Sequence, residues 1–140
     1  MGTPSLQIGY ITDPLSADEW PRARDMLAPA MKRGGLDWPA VERELCADTM
    51  QLIAIRKVGD PINLLACAVI RSAVTREGEA LEIVAAAGRD FRTWAAWGMA
   101  ALRDAARLSG MIGVQLGGRR GWRRVFRQAQ AVGDMMRVAV

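Results

Sequence analysis

The sequence predicts a mixed α/β (α+β) fold whose mostly antiparallel sheet is interrupted by one long helix, in the element order β-α-α-β-β-β-α-β-α-β. Two observations carry this prediction. Three strand-like segments follow one another over residues 50–88 with short turns between them, and such connections indicate an antiparallel meander. A long amphipathic segment over 91–108 separates the meander from another strand, which indicates a parallel crossover pair.

The first part of the chain is predicted to form one strand and two helices. Leu6–Thr12 alternates apolar and mixed residues, which is typical of a short strand. Ser16 and Glu19 have the spacing of a capping box, so a helix is expected over 17–33, ended by the Gly-Gly pair that follows it. Asp37 precedes a Trp-Pro pair and is the expected N-cap of the second helix.

The middle of the chain holds the meander and the long helix. The three predicted strands are Met50–Val58, Ile62–Val74 and Glu79–Gly88, separated by turns that contain glycine. Phe91–Leu108 repeats apolar residues at spacings of three and four. This pattern predicts one amphipathic helix with Trp94 on its buried side.

The last part of the chain contains two further strands and an arginine-rich segment. Met111–Leu116 and Asp134–Val140 are the predicted strands, and Leu116–Gln128 (LGGRRGWRRVFRQ) leads from the first of them into an expected helix. The segment carries five arginines, namely Arg119, Arg120, Arg123, Arg124 and Arg127. Trp122 and Phe126 are four residues apart and share one helix face, so we expect them to pack inward while the arginines form an outward basic surface.

Length and charge limit the classes of function. A chain of 140 residues has the usual size of one domain, so residues 1–140 are expected to form a single domain. The net charge of +4 is uneven, because residues 1–70 carry 7 basic and 9 acidic residues and residues 71–140 carry 12 and 6. The basic C-terminal half could therefore face acidic protein surfaces, a phosphate-bearing ligand or DNA.

Histidine and cysteine usage argues against a metal site. Histidine is absent, and the two cysteines, Cys46 and Cys67, stand alone in the sequence. The thiols are expected to be reduced, with Cys67 in the core, as in a cytosolic protein. No apolar run approaches the roughly 20 residues that a membrane span requires, so no membrane association is expected.

Three stretches and the order of elements carry a resemblance to a known family. These stretches are the strand that begins MQLIAI at Met50, the segment Ala85–Trp94 (AAAGRDFRTW) and the segment Gly118–Phe126 (GRRGWRRVF). Together they resemble the GCN5-related N-acetyltransferases (GNAT), and within them the small acetyltransferase-like proteins of tailed phages and prophages. The resemblance covers nearly the whole chain and implies a GNAT-like mixed sheet.

The resemblance also implies where a cofactor would bind. Active family members hold acetyl-CoA at the start of the long helix, with a loop of the form Arg/Gln-x-x-Gly-x-Gly/Ala whose amides meet the pyrophosphate. Arg89 matches the first position, whereas Arg92 and Trp94 stand where small residues are usual, and Asp90 adds a negative charge. The first expectation is therefore no cofactor. If acetyl-CoA does bind, Gly88, Arg89 and Arg92 are its expected contacts.

The catalytic groups that the resemblance implies are incomplete. Glu82, on the strand before the long helix, is the candidate general base, and a solvent-facing structural role is the alternative. The family's general acid is a tyrosine near the last helix, but the one tyrosine here, Tyr10, lies in the first strand. Some acetyltransferases work by proximity alone, so a missing acid does not exclude activity.

Three functions remain open at this point. The first is a non-catalytic acetyltransferase-like phage protein that acts in virion assembly, or as a virion component, through contacts with other phage or host proteins. The second is an active acetyl-CoA-dependent N-acetyltransferase on a small amine or a protein amino group. The third is a nucleic-acid-contacting module that uses the arginine segment. The protein is expected in the cytoplasm of a bacterial host or within the phage particle, and its oligomeric state is left open.

Overall fold

The computed structural model of the chain describes residues 5–117, 122, 126 and 128–140. Its strands are β1 (Leu6–Tyr10), β2 (Gln51–Lys57), β3 (Ala66–Thr75), β4 (Gly78–Gly88), β5 (Gly113–Gly117), β6 (Gln130–Val132) and β7 (Met135–Ala139). Its helices are α1 (Trp20–Arg33), α2 (Trp38–Cys46) and α3 (Phe91–Leu108), with a short 3-10 helix at Pro14–Ser16. Within these ranges no helix is both long enough and apolar enough to cross a membrane.

The strands form one sheet in the order β1-β2-β3-β4-β5-β7-β6. All neighbours are antiparallel except β4 and β5, which are parallel and joined through α3. This arrangement confirms the predicted fold class, including the meander and the crossover. Strand β6 was not expected, because three residues are too few to show a period. The helix expected near Arg119 lies mostly outside the described residues.

The start of α1 differs from the predicted capping box. Ser16 belongs to the 3-10 turn that Pro14 begins, and its hydroxyl donates to the carbonyl of Asp13 at 3.1 Å. Glu19 does not reach back to Ser16, because its carboxylate forms an ion pair with Arg56 of β2 at 2.7 Å. The Glu19 side chain is thus engaged by a residue 37 positions away, and as the N-cap of α1 it makes no side-chain capping bond. The predicted N-cap of α2 is confirmed, since Asp37 Oδ2 accepts the Ala40 N–H at 3.3 Å.

The two faces of the sheet carry separate apolar cores. Helix α1 buries Ala23, Leu27 and Met31, spaced four apart, against the face formed by β2, β3 and β4. Helix α3 packs its buried side, which includes the predicted Trp94, on the opposite face. Each fully buried large side chain stabilises the fold by roughly 1.5–3 kcal/mol, so these two stripes fix both helices on the sheet.

Near the middle of β4 there is a bulge in its pairing with β3, and its pairing with β5 ends. Ile70 pairs with Ile83 and Val69 pairs with Ala85, so Val84 is an extra residue on β4. The parallel pairing of β4 with β5 covers only three positions and ends at Ile83. From Val84 onward the β5 side of β4 has no partner strand among the residues that the structure describes. This gap opens the candidate site.

Candidate functional site

A groove follows the free side of β4 from the gap to the start of α3. We call it the β4 groove; its two adjoining parts have volumes of about 430 Å³ and about 350 Å³. Volumes of this order are typical of small-molecule sites. Arg33 at the end of α1, Ala86 of β4 and Trp122 line both parts. The remaining lining residues are Met26, Pro29, Ala30, Gly34, Ile83, Val84, Ala85, Ala87, Gly88, Arg89, Phe91, Trp94, Leu116 and Gly117.

The predicted cofactor residue Gly88 lies where β4 approaches β3 closely. A Cβ atom at this position would come within 2.6 Å of both the Ala66 Cβ and the Leu65 carbonyl oxygen. Contacts this short with backbone atoms require the strands to move apart. The absence of a side chain at Gly88 is therefore explained by strand packing, whatever ligand the groove takes.

The residues after Gly88 are held by hydrogen bonds. Arg89 donates its backbone N–H to Leu65 O at 2.9 Å, and its Nη2 donates to Leu64 O at 3.3 Å. Asp90 adopts the left-handed conformation with φ of 52° and makes no side-chain bond to the helix that it precedes. Arg89, an expected cofactor contact, is thus partly engaged with the β2–β3 connection, although the arginine remains exposed and lines the groove.

Trp94 is buried beneath the first turn of α3 and forms part of the groove wall. Its indole Nε1–H donates to the Arg89 carbonyl at 2.8 Å, and the residue is only 6% exposed. The Trp94 ring therefore fills core space that would stay open if this position carried the small residue usual in the family loop. The first-turn amides of Phe91 and Arg92 have no possible partner within α3, and a helix N-terminus carries roughly half a positive charge.

Aromatic rings continue from Trp94 along one side of the groove. Phe91 meets Trp94 edge to face at 5.3 Å and meets Trp122 at 5.1 Å between ring centroids. Trp122 stacks on Phe126 at 5.6 Å, and Phe126 is buried in the α3-side core. The prediction that Trp122 and Phe126 pack inward is confirmed. The five predicted basic-surface arginines, Arg119, Arg120, Arg123, Arg124 and Arg127, lie outside the described residues, so that surface stays a prediction.

A row of paired polar side chains crosses the sheet just before the gap. Arg71 Nε contacts Glu82 Oε2 at 2.6 Å, and Gln115 Nε2 donates to Glu82 Oε1 at 3.3 Å. Gln115 Oε1 in turn accepts from Arg137 Nη2 at 3.2 Å. These residues are direct cross-strand neighbours on β3, β4, β5 and β7. We call this set, Arg71, Glu82, Gln115 and Arg137, the polar row.

The polar row changes the interpretation of Glu82. Only 11% of the side-chain surface is exposed, so the solvent-facing alternative is wrong. Glu82 stands one residue before Ile83, at the point where β4 and β5 separate. Both carboxylate oxygens are engaged, one by Arg71 and one by Gln115. A general base in this position would accept its proton while it is paired with the Arg71 guanidinium.

The other chemically reactive side chains lie away from the groove or are unreactive. Tyr10 is 68% exposed on β1, three strands from β4. Cys67 is buried, and burial raises the pKa of its thiol to about 12, which leaves almost no thiolate at neutral pH. Among the described ranges no group of three or more histidine, cysteine or carboxylate side chains could hold a metal ion.

Sequence reasoning missed Arg33 and the partners of Glu82. Arg33 was assigned only to the end of a helix, because nothing local indicates that α1 ends beside the gap in the sheet. Arg71 and Gln115 contact Glu82 because the strand register places them opposite it, and a single sequence does not determine that register. A polar residue inside each of two otherwise apolar strands was the available signal.

Comparisons with known proteins identify the fold of this chain. No protein-family model matches the chain, and no curated protein matches its sequence. Among solved structures, the ribosomal-protein-alanine N-acetyltransferase of Brucella melitensis biovar Abortus 2308 is 19% identical, with TM-score 0.66 over 93% of this chain and 94% of the other. A predicted acetyltransferase from Clostridium acetobutylicum with acetyl-CoA is 11% identical, with TM-score 0.64 over 92% of each chain. AtaTR bound with AcCoA is 13% identical, with TM-score 0.60 over 96% and 93%. The chain therefore has the GCN5-related N-acetyltransferase fold.

Proposed function

We propose that this protein is acetyltransferase-like in function and binds acetyl-CoA, or another acyl-CoA, in the β4 groove. The observation that carries the proposal is the side of β4 from Val84 to Gly88, which has no partner strand among the described residues and faces an open groove that ends at the start of α3. A strand edge offers alternating N–H and C=O groups, and these suit the amides of a pantetheine arm. Two of the similar structures contain acetyl-CoA, which supports the same ligand class.

The far end of the groove suits the anionic part of such a ligand. Arg33 and Arg89 line it, and α3 begins there with the amides of Phe91 and Arg92, which have no partner within the helix. Arg92 is exposed on the same turn and adds a third positive charge. The carboxylate of Asp90 opposes them, so we expect weaker binding than a loop of unopposed glycine amides would give.

A matched pair of charge reversals tests the binding site. Arg33 lines the groove, whereas its neighbour Lys32 is equally basic, exposed and outside the lining set. Isothermal titration calorimetry with acetyl-CoA should show the Kd of Arg33→Glu raised at least about tenfold, since a charge-assisted contact contributes roughly 1.5–3 kcal/mol. Lys32→Glu should leave the Kd within about twofold. Absence of binding to the unaltered protein at millimolar acetyl-CoA would remove the proposal.

The second candidate is binding without acetyl transfer, and the polar row favours it. Among the described residues Glu82 is the carboxylate next to the gap, and each of its oxygens already has one partner, Arg71 or Gln115. Tyr10 is too far along the sheet to act as the general acid. Thiol release from acetyl-CoA with a panel of amines should then stay at the uncatalysed rate. Turnover that is lost in Glu82→Gln would instead establish Glu82 as the base of an N-acetyltransferase.

The phage assignment belongs to this second candidate. It is supported by the resemblance of Gly118–Phe126 to small phage proteins, and it implies a role in virion assembly or within the particle through protein contacts. Its test is mass spectrometry of purified particles from a tailed phage that encodes this chain. Absence of the protein from both particles and assembly intermediates would exclude that role while leaving acetyl-CoA binding untouched.

A further inference from the structure

Strand β1 forms one edge of the sheet, and its outer side has no partner strand among the residues that the structure describes. It is five residues long, pairs with β2 in regular register, and contains no charge, proline or bulge. Charges, prolines, bulges and short length are the features that protect exposed edges from pairing with another chain. The opposite edge, β6, has only three residues. The edge of β1 is therefore the less protected of the two.

The hydrogen bonds to β2 determine which backbone groups of β1 point outward. Ser5 O accepts the Val58 N–H at 2.9 Å, and the Ile11 N–H donates to Leu52 O at 2.9 Å. Hydrogen-bonded pairs alternate along an antiparallel ladder, so the odd-numbered residues of β1 face β2. The residues whose N–H and C=O groups point away from the sheet are Leu6, Ile8 and Tyr10.

These outward groups are complementary to a second copy of themselves. In an antiparallel pairing centred on Ile8, this residue stands opposite its own copy, and Leu6 stands opposite Tyr10 at both ends. Each of the three pairs exchanges two hydrogen bonds. Every outward N–H and C=O group of β1 thus finds a partner, and no group is left over.

The side chains and the flanking charges suit the same pairing. Leu6 and Ile8 pack on the α3-side core, and Tyr10 extends along that face with 68% of its surface exposed. The pairing lays this ring over Leu6 of the other copy, an aromatic–aliphatic cross-strand contact. Exposed Lys57 lies beside the N-terminal end of β1, and exposed Asp13 follows the C-terminal end. An antiparallel arrangement brings these opposite charges to the same end.

We propose that two copies of this chain associate through β1 and form one continuous sheet about a two-fold axis at Ile8. A second copy fits this edge better than an unrelated strand, because the edge matches itself in hydrogen bonding, in its apolar face and in the charges at its ends. Five-residue strands bury a modest area, so the association is a concentration-dependent equilibrium. It does not require acetyl-CoA.

The first test combines sedimentation velocity with residue-resolved amide exchange over a concentration series. The sedimentation coefficient should rise from monomer to dimer between micromolar and millimolar protein. Amides of Leu6, Ile8 and Tyr10 should become protected over the same range. Amides of Gln7 and Gly9, which bond to β2, should be protected at every concentration. A chain that remains monomeric at millimolar concentration, or a dimer without this alternation, would overturn the proposal.

Substitutions at Tyr10 separate edge pairing from other contacts. Tyr10→Pro removes an N–H that β2 does not use, so the β1–β2 ladder is kept and two symmetry-related hydrogen bonds are lost. The dimer Kd should rise about tenfold or more. Tyr10→Phe keeps the N–H and the ring, so its Kd should stay near that of the unaltered protein.

A second variant guards against a folding defect in Tyr10→Pro. Tyr10→Lys should also weaken the dimer at least several-fold, because it places a charge near Lys57 of the other copy. Gln7→Lys adds the same charge on the opposite face and should leave the Kd unchanged. Equal dissociation constants for both lysine variants would contradict pairing through the β1 edge.

Discussion

Replacing Gly88 by alanine should destabilise the protein without any ligand present. The added Cβ would lie 2.6 Å from the Ala66 Cβ and 2.6 Å from the Leu65 carbonyl oxygen, with the Ala66 Cα at 2.8 Å. Because two of these atoms belong to the backbone of β3 and the residue before it, the strands themselves must separate. Overpacking of this kind costs about 1–3 kcal/mol of unfolding free energy. For a chain of this length the Tm should fall by roughly 3–15 °C.

The assay is thermal and urea unfolding of Gly88→Ala beside a matched control. Gly117 stands across the groove at the end of β5, and a Cβ there meets no atom within 4 Å. Gly117→Ala should therefore unfold at or slightly above the Tm of the unaltered protein. If Gly88→Ala kept its Tm, the close approach of β3 and β4 would be wrong, and the glycine would have to be explained by a ligand.

Three further predictions concern the polar row, the thiols and the start of α3. Arg71→Ala should lower the unfolding free energy by about 1–3 kcal/mol, because it leaves the buried Glu82 carboxylate without its cation. In a double-mutant cycle measured by urea unfolding, adding Glu82→Ala should recover part of that loss. Strictly additive effects of the two substitutions would contradict the Arg71–Glu82 ion pair. Cys46 should react with Ellman's reagent in the native protein at pH 8. Cys67 should react only on unfolding, because burial raises the pKa of its thiol to about 12. Equal reaction rates for the two thiols would refute the burial of Cys67. Trp94→Phe should cost about 1 kcal/mol in urea unfolding, because a carbonyl loses its donor, and an unchanged midpoint would argue against that hydrogen bond.

The sequence predicted the elements well wherever a period or a turn residue was present. The 18-residue α3 and the meander were visible because their apolar spacing extends over many residues. The Ser16 capping box failed because Glu19 has a stronger partner, Arg56, that is remote in sequence. Local spacing carries no information about such a partner.

The candidate site was only partly accessible to sequence reasoning. The family resemblance indicated Gly88, Arg89 and Arg92 as cofactor contacts, and this stays a prediction; Gly88 and Arg89 line the groove. The groove itself arises from where the β4–β5 pairing stops, and the last paired residue, Ile83, is not distinguished by its type. Register depends on the packing of both sheet faces together, so the polar row and its effect on Glu82 became visible only in three dimensions.

The hydrogen bond between the Trp94 indole and the Arg89 carbonyl has a consequence for ligand binding. The backbone at Arg89 is held on its N–H side by Leu65 and on its C=O side by the Trp94 indole. Fixing one residue's backbone costs about 1–2 kcal/mol of conformational entropy, and at Arg89 this entropy is lost when the chain folds rather than when a ligand binds. A backbone that is ordered in advance loses little further entropy when a ligand binds. The affinity at this end of the groove should therefore depend on contacts with the ligand and carry little cost of ordering the backbone at Arg89.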